Sequence, residues 1–183
     1  MDIEKLAEPT EAKKILDLAD RGMESKILVL HQHTTLLSGQ LLEFDELHVI
    51  EAAAHGADAV LLIVAILSTK ELRHLRECAE RLGLAALVEV HSNDELKQAA
   101  DSGATIIGVN NRDLHTFQVT LDTSLKLAGK MPENAIAVSE SGIHSHADVE
   151  RLQAAGYRAF LVGEHLMRSP DPAAALRALR GNP

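Results

Sequence analysis

The sequence predicts an α/β fold of the parallel (β/α) TIM-barrel type, with an incomplete or altered N-terminal part. Six short aliphatic runs are spaced along the chain, at residues 26–30, 57–67, 84–90, 104–109, 135–138 and 159–162. Runs that are apolar at nearly every position are typical of strands buried on both faces of a parallel sheet. Helical patterns lie between them, at 46–55, 69–81, 94–101, 121–129, 146–155 and 172–180. This alternation of strand and helix is the order that βαβ units require.

Three connections from a helix to a strand share a similar string with a glycine at its centre. A glycine, Gly56, Gly103 or Gly156, follows a helical pattern in each string and comes just before an aliphatic run. Glycine adopts the left-handed conformation that ends many helices, so the repeat predicts three matching helix ends. Helix starts are predicted at Ser68 or Thr69, Asn93, Ser145 and Asp171, which are residue types that cap N-termini.

Length and composition favour one domain that spans residues 1–183. The chain is 46% hydrophobic, carries a net charge of -9 and has a single cysteine, Cys78. An acidic chain is poorly suited to nucleic acid or anionic lipid, because both partners select clusters of Lys and Arg. The apolar run 57–67 is too short to span a bilayer, and the acidic N-terminus does not resemble a signal peptide. We therefore expect a cytoplasmic protein that binds neither nucleic acid nor membrane.

Polar residues interrupt or follow the aliphatic runs at three places, where the barrel rule puts active sites. Glu89 lies inside the run 84–90, where a carboxylate needs a partner or a raised pKa. A structural ion pair with a neighbouring strand is the alternative. Asn110, Asn111 and Arg112 follow the next run, and amides with a guanidinium suit hydroxyl and carboxylate recognition.

The third place combines two strand ends that contain small residues. Glu140, Ser141 and Gly142 follow one run, and Gly163 and Glu164 follow the next. Small residues allow backbone N–H groups to approach an anion, and the last two strands of a barrel often hold a phosphate. Two ordinary glycine turns are the alternative interpretation.

Taken together, these strings resemble the indole-3-glycerol-phosphate synthase family. The resemblance covers residues 44–180 and rests on five ordered strings, at 46–67, 87–91, 107–114, 138–143 and 160–172. It implies a TIM barrel and a carboxy-lyase of tryptophan biosynthesis. The implied reaction closes carboxyphenylamino-deoxyribulose phosphate into an indole, with loss of carbon dioxide and water. The implied partner is this small phosphorylated substrate.

The resemblance also implies roles for individual residues. Glu89 corresponds to the family's general base, Asn110 to the amide that holds a sugar hydroxyl, and Arg112 to a support for the charged groups. Glu140 and Ser141 correspond to a pair that lines the sugar and phosphate end of the site. A phosphate cradle is implied at Gly142 and Gly163, with Glu164 and His165 beside it. We expect no cofactor, because the sequence contains no dinucleotide or Walker-type glycine string.

Residues 1–43 depart from the family pattern. An ungapped count puts Gln40 where the family has the lysine that acts as general acid, and Leu41 where it has an aspartate. A missing general acid typically costs about 10²- to 10⁴-fold in rate, so the count predicts impaired activity. An open barrel would expose two strand edges, which either the N-terminal segment or a second copy of the chain would cover.

Two other functions remain open from the sequence. One is a non-catalytic phosphate-binding barrel remnant or an engineered fragment that self-associates. The other is a metal-dependent hydrolase that uses His31 and His33, which lie on one face of an extended segment. A metal site requires further ligands in the right geometry, and spacing identifies none. With 10 histidines in 183 residues, chance explains this pair better, and no metal is expected.

Overall fold

The computed structural model describes residues 26–28, 45–113 and 116–182. Within these ranges, six strands form one parallel sheet in the order β1-β6-β5-β4-β3-β2. Their bounds are β1 Lys26–Leu28, β2 Ala59–Ile63, β3 Ala85–Val90, β4 Ile106–Asn110, β5 Ile136–Glu140 and β6 Ala159–Leu161. The predicted parallel β/α fold is confirmed. The first strand, β1, pairs in parallel with the last, β6, as the first and last strands of a TIM barrel do.

Six of the seven α-helices in the described ranges lie where they were predicted, with bounds that differ by only a few residues, and the short helix Glu164–Arg168 was not predicted. The seven helices are α1 Glu46–Ala54, α2 Thr69–Arg81, α3 Asn93–Ser102, α4 Asp122–Ala128, α5 His146–Ala154, α6 Glu164–Arg168 and α7 Pro172–Leu179. No helix in the described ranges is long and apolar enough to cross a membrane. Residues 29–44 lie outside these ranges, and with them the stretch that carries Gln40 and Leu41 and the candidate metal ligands His31 and His33.

The glycine prediction is confirmed, since Gly56, Gly103 and Gly156 all have positive φ angles, of 76°, 85° and 104°. The predicted caps at Ser68, Ser145 and Asp171 are also confirmed. The cap predicted at Asn93 is wrong, because the Ser92 hydroxyl accepts the N–H of Glu95 at 3.3 Å. Asn93 is already helical, and its side-chain oxygen instead accepts Lys130 Nζ at 2.8 Å.

The two faces of the sheet have different environments. A large aliphatic cluster fills the space between sheet and helices and includes Val88, Ile107 and Phe160. Successive residues of a strand point to opposite faces, so Glu89, Gly108 and Leu161 project to the other side, the inner face. Leu87 and Val138 are buried but stand apart from the helix-side cluster, as this alternation requires. The inner face is therefore where the acidic residues of the strands lie.

Candidate active site

The strand register brings two glutamates together on the inner face of the sheet. Glu89 of β3 pairs in register with Gly108 of β4, and Glu140 of β5 pairs with Asn110 of β4. The two glutamates lie on the strands on either side of β4, so β4 alone separates them. Both are almost completely buried, with exposed fractions of 5% for Glu89 and 3% for Glu140.

Gly108 provides the space that the Glu140 carboxyl occupies. A Cβ atom at position 108 would lie 1.8 Å from Glu140 Oε1 and 3.1 Å from Leu87 Cδ1. No side chain larger than hydrogen fits there while the carboxyl keeps its position. Sequence reasoning assigned Gly108 no role, since a glycine inside an aliphatic run carries no signal of what lies above it.

Glu140 is a protonated acid near neutral pH. Burial, the negative charge of Glu89 and a hydrogen bond with Glu89 together raise its pKa to about 8, and burial is the largest of these causes. Two carboxyls in contact and away from water cannot both ionise easily, so one retains its proton. The partner predicted for Glu89 is thus present, and on the neighbouring strands it is a second acid and not a basic residue.

Asn111 anchors the loop that follows β5. It is only 1% exposed, and its Nδ2 donates to Ser139 Oγ at 3.0 Å and to the carbonyls of Glu140 at 2.9 Å and Ser141 at 3.2 Å. Its Oδ1 accepts the N–H of Ser124 at 3.0 Å. The amide is therefore fully used inside the protein. The sequence-based expectation that Asn111 recognises a ligand is corrected, because none of its polar atoms is left to face one.

The network around Asn111 extends to helix α4 and to the only tyrosine. Ser124 Oγ and Ser139 Oγ are 2.8 Å apart, and Tyr157 Oη donates to the Ser124 carbonyl at 2.7 Å. Burial raises the pKa of Tyr157 to about 12, so its hydroxyl remains a donor. This network joins the ends of β4 and β5 to α4.

We expect Asn111→Ala to lower the free energy of unfolding by about 2–4 kcal/mol, since four groups in and around the buried network each lose one hydrogen bond. Chemical unfolding monitored by circular dichroism measures this change. Asn110→Ala is the matched control, because Asn110 is half-buried and its Oδ1 accepts one backbone N–H, from Arg112 at 3.0 Å. Equal losses for both variants would show that the Asn111 network contributes nothing special.

A cleft of about 150 Å³ opens beyond the ends of β5 and β6. Its lining includes six residues named from the sequence, together with His144: Arg112, Ser141, Gly142, Gly163, Glu164 and His165. Ser141 and Gly142 have positive φ angles of 63° and 74°, and Asn111 holds the Ser141 carbonyl. A Cβ at Gly142 would lie 2.6 Å from Val119 Cγ1, so this turn requires glycine.

Charged and aromatic side chains surround this cleft. Arg112 forms a short ion pair with Glu164, and Arg168 contacts the other Glu164 oxygen at 3.1 Å. The rings of His144 and His165 meet edge to face with centroids 5.6 Å apart. Arg112 and the two imidazoles are groups that donate hydrogen bonds to phosphate oxygens.

The predicted residues thus fall into two neighbouring groups. Glu89, Asn110 and Glu140 lie on the inner face of the sheet, and Arg112, Ser141, Gly142, Gly163 and Glu164 line the cleft. Sequence reasoning missed Gly108 and His144. Across the part of the chain that the structure describes, no cluster of three His, Cys, Asp or Glu side chains is arranged to hold a metal ion.

Comparison with known proteins gives a consistent family. A family model described as indole-3-glycerol phosphate synthase matches residues 33–179. The enzyme of that name from Koribacter versatilis is 56% identical over 137 residues, which are 75% of this chain and 53% of the relative. The one from Polynucleobacter asymbioticus is 50% identical over 135 residues, 74% of this chain and 51% of the relative. The chain spans about half the length of the curated relatives it matches.

Solved structures share the fold at low identity. A 3-hexulose-6-phosphate synthase has a TM-score of 0.64 at 18% identity, covering 76% of this chain and 69% of that one. A thiamine phosphate pyrophosphorylase from Pyrococcus furiosus has a TM-score of 0.58 at 16% identity, covering 97% and 90%. These likenesses support the β/α fold. The match over residues 33–179 and the close relatives show more: this chain belongs to the indole-3-glycerol-phosphate synthase family.

Proposed function

We propose that this chain binds carboxyphenylamino-deoxyribulose phosphate and closes it to indole-3-glycerol phosphate, with loss of carbon dioxide and water. The observation that carries the proposal is the buried pair of Glu89 and Glu140 beside an open cleft lined by glycine turns. The pair suits proton transfer, and the cleft suits a phosphate group. The relatives that carry the synthase name support the same substrate.

The two glutamates supply the complementary halves of acid–base chemistry. Ring closure onto a sugar carbonyl and the later loss of a hydroxyl each need a proton delivered to oxygen, and formation of the aromatic ring needs a base. Glu140 holds a proton at neutral pH because burial raises its pKa to about 8. We assign it as the proton donor and Glu89 as the base. We also assign Asn110, which is in register with Glu140, to hold a sugar hydroxyl.

A proton donor at Glu140 would also compensate for Gln40 at the position of the family lysine. The ungapped count puts Gln40 at the position of the family lysine that delivers a proton, which a neutral amide cannot do. Glu140 is the group with a raised pKa that lies on the inner face in the described residues, so it is our candidate for that delivery. The Gln40 substitution favours a second function as well, in which the chain binds the phosphorylated compound but does not convert it.

One experiment separates the two functions. The purified chain is incubated with carboxyphenylamino-deoxyribulose phosphate while indole fluorescence and melting temperature are recorded. Product formation supports the synthase, and a raised melting temperature without product supports binding alone. If neither product nor stabilisation is seen, both proposals fail.

We expect Gly163→Val to weaken the binding of inorganic phosphate by about tenfold or more, because a side chain there blocks the approach to backbone N–H groups. Gly163 has a φ of -109° and open space where its Cβ would be, so the variant should fold normally. Isothermal titration with phosphate measures the effect.

Gly129→Val is the control for this exchange. Gly129 has a φ of -70°, its Cβ position is also open, and it does not line the cleft. Phosphate affinity should match that of the parent. If Gly163→Val binds phosphate as well as Gly129→Val does, the cradle lies elsewhere.

We further propose that the chain is a single cytoplasmic domain over residues 1–183, works without an organic cofactor and does not bind nucleic acid. The acidic net charge of -9 and the single buried cysteine support this description. Light scattering on the assay sample measures its mass and decides whether two copies associate. A mass of one chain would remove the proposal of a homo-oligomer.

A further inference from the structure

His91 connects the buried glutamate pair to a carboxylate on helix α3. It follows Glu89 by two residues, and its Nε2 lies 3.4 Å from Glu89 Oε1. On the other side of the ring, Nδ1 lies 3.3 Å from Glu95 Oε2. The same Glu95 oxygen accepts the backbone N–H of His91 at 2.7 Å. The side chains form a continuous string, Glu95, His91, Glu89 and Glu140.

Two atoms of this string lack a hydrogen-bond partner. They are His91 Nε2 and Glu140 Oε1, which are the fully buried side-chain polar atoms without a partner in the part of the chain that the structure describes. His91 contacts Glu89 directly, and Glu140 is coupled to Glu89. Buried polar groups are normally paired, and a proton on the His91 ring and one on the Glu140 carboxyl would compensate the negative charge of Glu89.

The geometry decides where these protons go. Glu95 accepts from the Nδ1 side of the ring, so Nδ1 carries a proton, and a second ring proton on Nε2 would lie on the side of the ring that contacts Glu89, where Nε2 is 3.4 Å from Oε1. The other proton belongs to the Glu140 carboxyl. With both in place the string alternates in charge: an ionised Glu95, an imidazolium, an ionised Glu89 and a neutral Glu140. Each charge then faces an opposite charge or a donor.

We infer that His91 is a positioning residue that holds Glu89 in its ionised form, with its imidazolium in ion-pair contact with Glu89 through Nε2 and Glu95 stabilising the cation. The inference rests on the proposed function only for the role of Glu89 as base. Glu95 is partly exposed, so it also connects the buried pair to solvent. His91 thereby keeps the base ready without taking part in contact with the substrate.

The groups that act on the pair can be named. In the described residues, Glu89 is the charged side chain that acts on Glu140 from β3, and the strand between them contributes Gly108 and the neutral Asn110. Glu95 is the charged group beyond His91. Removing the imidazolium therefore removes a cation that contacts Glu89, and the negative charge of the pair becomes harder to accommodate.

The test is a pH titration of the full chain, labelled with ¹³C at glutamate carboxyls and followed by NMR. In His91→Phe we expect the pKa of Glu140 to rise by about one unit above that of the parent. His91→Gln, which retains a neutral donor, should shift it in the same direction by less. His55→Gln changes an exposed histidine after α1 and should leave the titration unchanged.

The outcomes are distinct from those of the turnover assay. An unchanged Glu140 titration in both His91 variants would overturn the inference, whether or not the chain makes product. A shifted titration in a chain without turnover would support the His91 inference while removing the synthase proposal. Where the parent does turn over, His91→Gln should lower kcat with little change in KM, since the residue acts on the base and not on the substrate.

Discussion

Glu89→Gln is expected to lower turnover of carboxyphenylamino-deoxyribulose phosphate by about 10²- to 10⁴-fold, the usual contribution of a positioned acid or base. Gln has nearly the same shape as Glu but cannot accept a proton. Because Glu89 is almost completely buried, a solvent water molecule cannot readily replace it as the base. Indole fluorescence measured with enzyme and substrate gives the rate directly.

The control for this variant is Glu133→Gln, which makes the same chemical change at an exposed residue. It should turn over at the parental rate. Binding should survive in Glu89→Gln, so substrate should still raise its melting temperature. Parental turnover in Glu89→Gln would mean that the base lies elsewhere in the chain.

Glu140→Gln is expected to stabilise the protein at high pH and to remove a pH dependence. The folded state raises the pKa of Glu140 from 4.5 to about 8, so folding takes up a proton between these values. The contribution of this group to stability is complete below the unfolded pKa and is lost as pH rises toward about 8. The slope is on the order of 1 kcal/mol per pH unit. Gln remains neutral throughout.

Urea unfolding at several pH values between about 5 and 8 measures this effect. Glu140→Gln should have a higher free energy of unfolding than the parent. This difference should increase as the pH increases. Glu133→Gln should follow the parent, because its carboxyl is exposed. Parallel curves for the parent and Glu140→Gln would show that Glu140 ionises in the folded state as it does in the unfolded one.

Much of the fold follows from local features that the sequence displays. Aliphatic runs predicted all six strands, and the glycines at 56, 103 and 156 predicted the helix ends. The Asn93 cap failed because two adjacent residues can both cap a helix, and a serine one position earlier reached the right N–H group. Such choices depend on backbone angles that the residue type alone does not fix.

The candidate site was less fully predictable. Arg112 and the two glycine turns could be assigned to one end of the sheet because parallel strands end together. Asn111 could not be distinguished from Asn110, since both are amides in the same loop. The register of β4 and β5 turns the Asn111 side chain into a buried network and leaves Asn110 half-exposed on the inner face.

The sequence by itself determined the order of the elements, the family resemblance and the identity of most residues at the ends of the strands. These depend on periodicity and on short strings, which are properties of neighbouring residues. Only the tertiary structure decided that Glu89 and Glu140 share one buried environment, that Gly108 makes room for the Glu140 carboxyl, and that His91 joins the pair to Glu95. Strand register brings these distant residues together, and burial there sets their protonation.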